Sequence, residues 1–177
     1  NGPTGDISEK EAEAIKAYLE AGGSMLLFTD FTDTPLSNLF GLMENYGVHG
    51  ENNFVCEGSQ NNYYMYPYYL LPEQSSHEIT DPLINGKYYI LQPIAHGITL
   101  QDSYRSTLSI TGLLKTTDSA YAKTNAKATT LEKESGDLTG PFYTGVAISE
   151  AFDDKETKIV WFSSSSLLDE NINQMVS

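Results

Sequence analysis

The most unusual chemical feature of the sequence is a cluster of tyrosines near its middle. Five of the twelve tyrosines fall in the short range Asn61–Leu71: Tyr63, Tyr64, Tyr66, Tyr68 and Tyr69. A tyrosine ring can stack on a sugar or pack against a partner protein while its hydroxyl keeps a hydrogen bond. The same rings can instead fold back onto the domain's own sheet. The cluster therefore predicts a ligand or partner contact, with internal packing as the alternative.

Two further polar groups follow predicted strands, where ligand-binding side chains sit in parallel sheets. Asp30 and Asp33 come directly after an apolar run, so we count them as candidate ligand residues, with a solvated turn as the alternative. Ser163–Ser166 also follows a strand. A serine there could be a nucleophile if a histidine lay beside it, although helix capping is the simpler interpretation.

The histidines and the single cysteine do not form a recognisable catalytic or metal motif. His49, His77 and His96 are too far apart in sequence for the close pairs typical of zinc sites. Cys56 lacks the small residue two positions earlier that a nucleophile elbow needs, which favours a buried structural cysteine. No glycine-rich nucleotide loop is present, so we expect neither cofactor nor metal.

Length and charge limit the classes of function. The 177 residues suit a single domain, spanning 1–177. Its 24 acidic against 10 basic residues give a net charge of −14, which repels nucleic acid and anionic membranes. Residues 1–60 hold ten acids against two lysines, so a basic partner surface is expected there. No run approaches the ~20 apolar residues of a membrane span, so this segment is not expected to insert directly.

The elements that must position these residues begin with an alternation of helices and strands. A helix is predicted over Ile7–Tyr18, capped by Ser8 with Glu11 at capping-box spacing. Gly22-Gly23 ends it, and Ser24–Thr29 follows as a strand buried on both faces. A second helix is predicted to open at Thr34-Pro35, with an apolar stripe of Leu36, Leu39, Phe40, Met43 and Tyr46. With a strand at Phe54–Cys56, the alternation indicates a parallel α/β sheet.

The rest of the chain is less regular. Strands are predicted at Tyr88–Leu91, Ile98–Leu100, Leu108–Leu114, Tyr143–Ile148 and Lys158–Phe162. Pro93 is expected to interrupt pairing between the first two. We predict a turn or short helix at Asp81–Gly86, a long polar surface excursion over Lys115–Gly140, and a helix over Leu167–Met175.

Six segments, in order, resemble one known family. The stretch GDISEKEAEAIKAYLEAGGSMLLFTD resembles part of the gliding-motility-type (GldG-like) auxiliary subunits of ABC transport systems. LFGLMENYGVHGENNFVCE is similar to the family's next helix and strand, and SSHEIT to its His-Pro-Ile-Thr element, with Glu78 in place of the proline. SITGLLKTTDSAYA resembles its leucine–leucine, Thr/Ser-Ser and aromatic segment, and GPFYTGVAISEAF and KIVWFSSSSLLDE resemble its Gly-Pro strand and its closing strand.

The resemblance implies a fold and a setting. The fold would be a Rossmann-like, flavodoxin- or amidotransferase-like domain, with a mostly parallel sheet flanked by helices and an irregular tyrosine-rich middle. The chain would belong to a longer membrane-anchored protein on the extracytoplasmic face of the cell membrane. Its partners would be transmembrane and other subunits of an ABC transport system, and His77 joins the candidate contact residues.

Three functions follow from these observations. The first is a non-enzymatic accessory or interaction domain of an ABC-type transport system, contacting protein or glycan. The second is a carbohydrate-binding domain that uses the tyrosines from Tyr63 to Tyr69. The third is a serine hydrolase built from Ser163–Ser166 with His77 or His96 and an acid.

Overall fold

Two helices pack on one face of a long mixed β-sheet in the computed structural model, which describes residues 1–125 and 130–175. The helices are α1 (Glu9–Glu20), α2 (Ser37–Glu44), α3 (Asp81–Gly86) and α4 (Glu170–Gln174), with a 3-10 turn at Ser165–Leu168. The strands are β1 (Ser24–Phe28), β2 (Val48–Gly50), β3 (Phe54–Cys56), β4 (Tyr69–Leu70), β5 (Glu73–Gln74), β6 (Gln92–Pro93), β7 (Ile98–Leu100), β8 (Leu108–Lys115), β9 (Tyr121–Lys123), β10 (Leu138–Thr139), β11 (Tyr143–Phe152) and β12 (Lys155–Phe162).

The start of α1 follows from its capping residues, as predicted. The Ser8 hydroxyl accepts a hydrogen bond from the Glu11 amide at 3.3 Å, and the Glu11 carboxylate accepts one from the Ser8 amide at 2.8 Å. This reciprocal pair satisfies two amides that a helix start would otherwise leave free. Gly22 then takes a left-handed φ of 94°, which turns the chain into β1.

Helix α2 is capped from a distance. The Asp6 carboxylate accepts hydrogen bonds from the amides of Asn38 at 2.7 Å and Leu39 at 3.1 Å. The helix begins at Ser37, so the prediction that Pro35 is its first residue was wrong. The predicted apolar stripe is confirmed, because all five of its residues are buried.

The main sheet has seven strands and is largely antiparallel. Its principal order is β1-β12-β11-β7-β2, with β8 paired to β11 and β5 paired to β8. Only the β1–β12 pair is parallel; the other pairs in this sheet are antiparallel. The core lies between this sheet and helices α1 and α2, around the fully buried Trp161.

The predicted Rossmann-like, mostly parallel sheet flanked by helices is therefore wrong. The alternation of helices and strands near the N-terminus extends only as far as α2. Most of the later strands follow one another without the connecting helix that a parallel pair requires. Strands β11 and β12 form a hairpin through Asp153 and Asp154, and a two-residue connection forces antiparallel pairing. In addition, β3 leaves the main sheet and pairs with β9 in a separate three-stranded sheet.

That second sheet also corrects the prediction that Lys115–Gly140 is a surface excursion. Strand β9 lies within this range and is buried, and it pairs with both β3 and β10. The ammonium group of Lys123 binds Glu134 and Asp137, each at 2.9 Å, which ties the polar segment to the sheet. Residues 126–129 of the predicted excursion lie outside the described residues.

Three smaller predictions also fail. The range Tyr88–Leu91 forms no strand; instead Pro93, expected to interrupt pairing, lies in β6 and pairs with β4. The predicted helix Leu167–Met175 is divided into the 3-10 turn and α4. Strand β1 is not buried on both faces, since it is an edge strand and Leu26 is 63% exposed.

The outer edge of β1 is blocked at both ends by the chain itself. The Tyr18 hydroxyl donates to the Ser24 carbonyl at 3.1 Å and accepts from the Ser24 amide at 3.2 Å. At the other end, the Gly2 amide donates to the Phe28 carbonyl at 3.0 Å. These contacts occupy outward-facing backbone groups at the two ends of the strand, which hinders pairing with an added strand.

Candidate interaction surface

The tyrosine cluster forms a tight, hydrogen-bonded loop that leads into β4, of which Tyr69 is the first residue. Tyr63 bridges to Leu70 in antiparallel fashion, and the Tyr64 amide donates to the Tyr69 carbonyl at 2.8 Å. The Tyr69 amide in turn donates to the Tyr66 carbonyl at 2.9 Å. The backbone of the loop is thus fixed, and it holds the five rings in defined positions.

The rings stack on one another and continue onto the neighbouring sheet. Tyr66 and Tyr68 are nearly parallel, with centroids 5.4 Å apart and an angle of 9° between the ring planes. Tyr69 meets both edge-on, Tyr68 contacts Phe54 of β3 at 5.7 Å, and Phe54 contacts Phe31 at 5.7 Å. We call these five residues, Phe31, Phe54, Tyr66, Tyr68 and Tyr69, the aromatic ridge. Internal packing, the alternative considered above, therefore accounts for much of the ring contact.

Part of this region nevertheless faces solvent. Tyr66 is 45% exposed and its neighbour Met65 is 63% exposed. Ile94, whose amide donates to the Tyr68 carbonyl at 3.0 Å, is 42% exposed. The structure therefore places two aliphatic side chains beside the ridge and leaves them largely uncovered.

Met65 and Ile94 also share a strained backbone. Their φ angles are 60° and 55°, in the left-handed region that non-glycine residues rarely adopt. For a β-branched residue such as Ile94 this conformation is especially unfavourable, and it persists only where the surrounding structure imposes it. Strain of this kind gathers at binding and active sites more than elsewhere.

Asp30 and Asp33 lie close to the ridge through Phe31. Asp30 follows β1 and its carboxylate accepts hydrogen bonds from the Ser165 amide at 2.7 Å and hydroxyl at 2.6 Å. The carboxyl ends of the parallel pair β1 and β12 thus meet here. Gly2 packs over the same point, so Asp30 is engaged within the chain, whereas Asp33 remains exposed.

His77 belongs to a different surface. It lines a groove of about 380 Å³ on the face of the main sheet opposite α1 and α2, together with Ser109, Thr111 and Lys158. Its ring accepts a hydrogen bond from the Ile79 amide at 3.2 Å. The structure therefore does not unite His77 with the tyrosines into one site.

The four serines do not form a catalytic set in the described part of the chain. Ser163 and Ser164 are buried and donate to the carbonyls of Thr144 and Pro93. Ser165 donates to Asp30. No serine hydroxyl here is hydrogen-bonded to a histidine ring within the described residues, so the contact that activates a serine nucleophile is not formed.

His96 has a structural partner on each ring nitrogen. Its Nδ1 donates to the Gly97 carbonyl at 2.9 Å, which leaves Nε2 to accept from the Thr29 hydroxyl at 2.7 Å. The Thr29 oxygen accepts in turn from the indole nitrogen of Trp161 at 2.8 Å. Burial lowers the pKa of His96 from 6.5 to about 4, so the ring is neutral at pH 7. Sequence patterns missed this chain of hydrogen bonds because its members are far apart in sequence.

Cys56 is fully buried, as predicted. Burial raises the pKa of its thiol to about 11, so almost no thiolate is present at neutral pH. Within the described residues, no three His, Cys, Asp or Glu side chains are arranged to hold a metal ion. None of the helices in that part of the chain is both long and apolar enough to cross a membrane.

Comparison with known proteins bears on the fold alone. The fold of this chain is a mixed, largely antiparallel sheet with helices packed on one face. A solved structure described as the mmIFT52 N-terminal domain is similar to this chain, with a TM-score of 0.60 and 15% sequence identity. The match covers 96% of this chain and 66% of that one, so this chain spans about two thirds of its length. No protein-family profile matches the chain, and no curated protein sequence matches it.

Proposed function

We propose that this domain is a non-enzymatic interaction module of an accessory subunit in an ABC-type transport system, and that a partner subunit docks on the aromatic ridge. The observation that carries the proposal is the pair of exposed, left-handed aliphatic residues, Met65 and Ile94, beside the stacked tyrosines. A folded domain that holds such side chains outward in a strained conformation keeps an apolar surface ready for a partner.

The composition of this surface fits protein recognition. Tyrosine and methionine are enriched in the buried centres of protein interfaces, and charged residues are depleted there. The ring stacking in the ridge fixes the tyrosines before binding, which lowers the entropy lost on association. By contrast, β-strand addition at β1 is disfavoured, because Tyr18 and Gly2 already occupy that edge.

The assignment to a transport system rests on the ordered resemblance of six sequence segments to the gliding-motility-type auxiliary subunits. On this proposal the domain is anchored on the extracytoplasmic face of the membrane by parts of the protein outside these 177 residues. Its partners are the transmembrane and other subunits of that system. The similarity to the mmIFT52 N-terminal domain contributes the fold and nothing about partners.

The two other functions have less support. A carbohydrate platform needs polar groups for the sugar hydroxyls beside the aromatic ring, whereas the exposed neighbours Met65 and Ile94 are apolar. A hydrolase needs a serine beside a base, whereas His96 commits its ring to Thr29 and Gly97.

The full reading frame and co-purification test the proposal together. The complete protein is expected to carry a membrane-spanning segment and to be encoded beside transporter subunits. When they are expressed together and solubilised, those subunits should co-purify with the full-length protein. Tyr66→Ser combined with Met65→Ser should weaken the association at least about tenfold, as expected for hot-spot residues.

A matched control uses tyrosines of similar exposure away from the ridge. Tyr88 and Tyr89 are 64% and 74% exposed, and among the described residues no ring–ring contact joins either of them to the ridge. Tyr88→Ser combined with Tyr89→Ser should leave co-purification unchanged. A gene without membrane spans or transporter neighbours, or equal effects of the two double variants, would contradict the proposal.

A further inference from the structure

The basic residues of this chain are distributed very unevenly. Lys16 and Lys87 are consecutive basic residues, so residues 17–86 contain neither lysine nor arginine. The same stretch contains nine aspartates and glutamates. The whole aromatic ridge, from Phe31 to Tyr69, lies inside this stretch, so neither lysine nor arginine occurs in the sequence around its residues.

Folding brings one lysine beside the ridge, since Lys123 lies opposite Phe54 in the β3–β9 pair, but its ammonium group is bound by Glu134 and Asp137. Three other tyrosines in the described residues carry a cation: Arg105 lies 5.2 Å from the centroid of Tyr46, Lys115 lies 5.7 Å from Tyr143, and Lys123 lies 6.0 Å from Tyr121. No such pair involves a tyrosine of the ridge among the residues that the structure describes. The ridge tyrosines are thus among the described tyrosines whose rings are not covered by a cation of this chain.

We infer that the partner presents arginine side chains to the aromatic ridge, an inference that rests on the proposed function. A guanidinium is planar and stacks on an aromatic face, and it is less strongly hydrated than an ammonium group. Tyr66 offers a ring with one face already stacked on Tyr68, which is held nearly parallel to it. Arginine therefore fits this geometry better than lysine.

The surroundings of the ridge match the rest of an arginine side chain. Asp33 is exposed and lies two residues after Phe31, so it adds a negative charge at the Phe31 end of the ridge with which an arginine could pair. Met65 and Ile94 are exposed apolar neighbours, against which the aliphatic stem of arginine can pack. The net charge of −14 favours a basic protein segment over an anionic lipid or nucleic acid.

The four methionines allow a direct test by NMR. Methyl-labelled methionine reports separately on Met65 beside the ridge, on Met25 and Met43 near the core, and on Met175 near the end of the chain. The probe is a hexa-arginine peptide, titrated into the 177-residue protein, with hexa-lysine, hexa-glutamate and cellohexaose as comparisons. Hexa-arginine should shift the Met65 resonance, hexa-lysine should do so more weakly, and the other two should not.

Variants separate the ridge from general attraction to an acidic protein. Tyr66→Leu should weaken hexa-arginine binding about tenfold, the size expected for loss of a stacked cation contact. Asp33→Asn and Glu13→Gln each remove one negative charge, and Glu13 lies on α1 far from the ridge in sequence. Only Asp33→Asn should weaken the Met65 response by more than about twofold.

Several outcomes would overturn the inference. The inference fails if hexa-arginine does not shift the Met65 resonance. It also fails if Asp33→Asn and Glu13→Gln weaken the Met65 response equally. A shift with cellohexaose but not with hexa-arginine would assign the ridge to sugar instead. If the transporter subunits still co-purify in a Tyr66-dependent manner, only this inference fails and the proposed function stands.

Discussion

The buried histidine His96 makes the stability of this domain depend on pH in a way that can be calculated. Its pKa is about 4 in the folded protein, against 6.5 for an ordinary histidine, because burial disfavours the charged ring. Between pH 6.5 and 4 the unfolded chain therefore binds a proton that the folded chain does not. The free energy of unfolding consequently falls as the pH drops through this window and is fully retained above it.

The size of the effect follows from the same two values. The difference between 6.5 and about 4, at ~1.36 kcal/mol for each pH unit, gives about 3 kcal/mol. That is a large part of the ~5–15 kcal/mol by which a domain is usually stable. Replacement by His96→Gln removes the titrating group and keeps one donor and one acceptor, so it should remove this part of the acid sensitivity.

Urea unfolding at several pH values between 7.5 and 4 measures the effect. The wild-type protein should lose about 3 kcal/mol more than His96→Gln over this range, whatever the variant's stability at neutral pH. Carboxylate titration affects both proteins equally and cancels in the comparison. His77→Gln is the control, because it replaces a partly buried histidine and leaves His96 in place, so the acid sensitivity due to His96 should remain. Equal losses in wild type and His96→Gln would refute the reasoning.

Three further changes test the fold itself by urea unfolding. Thr29→Val should lower the free energy of unfolding by about 2–4 kcal/mol, because Trp161 and His96 both lose a buried hydrogen-bond partner. Thr29→Ser keeps the hydroxyl and should lower it by only about 1 kcal/mol. Similar losses of stability in the two variants would contradict the hydrogen-bond chain. Asp6→Ala should cost about 1 kcal/mol by uncapping α2, and no loss would argue against that cap. Leu26→Thr should change the free energy of unfolding by less than about 0.5 kcal/mol, because Leu26 is exposed. A loss above ~2 kcal/mol would instead support the prediction that β1 is buried on both faces.

The elements that were predicted correctly are those specified by residues close together in sequence. The capping box of α1 joins Ser8 to Glu11, and the buried stripe of α2 repeats at helical spacing. The direction of strand pairing was predicted wrongly, because it is decided by contacts between distant segments. The cap of α2 shows the same limit, since Asp6 acts across more than thirty residues.

The candidate surface was likewise found only in part. The tyrosine cluster was visible because five rings stand within a few residues of one another. Its continuation through Phe54 and Phe31 depends on how β3 and the end of β1 come together. The left-handed conformation of Ile94 carries no sequence signal at all, because β-branched residues normally avoid it.

The most direct test of the central claim is amide hydrogen exchange on the complex between the full-length protein and its transporter subunits, compared with the free protein. Docking on the aromatic ridge predicts slower exchange on binding at residues 63–69 and around Ile94. It predicts no change at residues 77–79, which line the separate groove on the face of the main sheet away from α1 and α2. Protection of residues 77–79 with none at residues 63–69 would contradict the account.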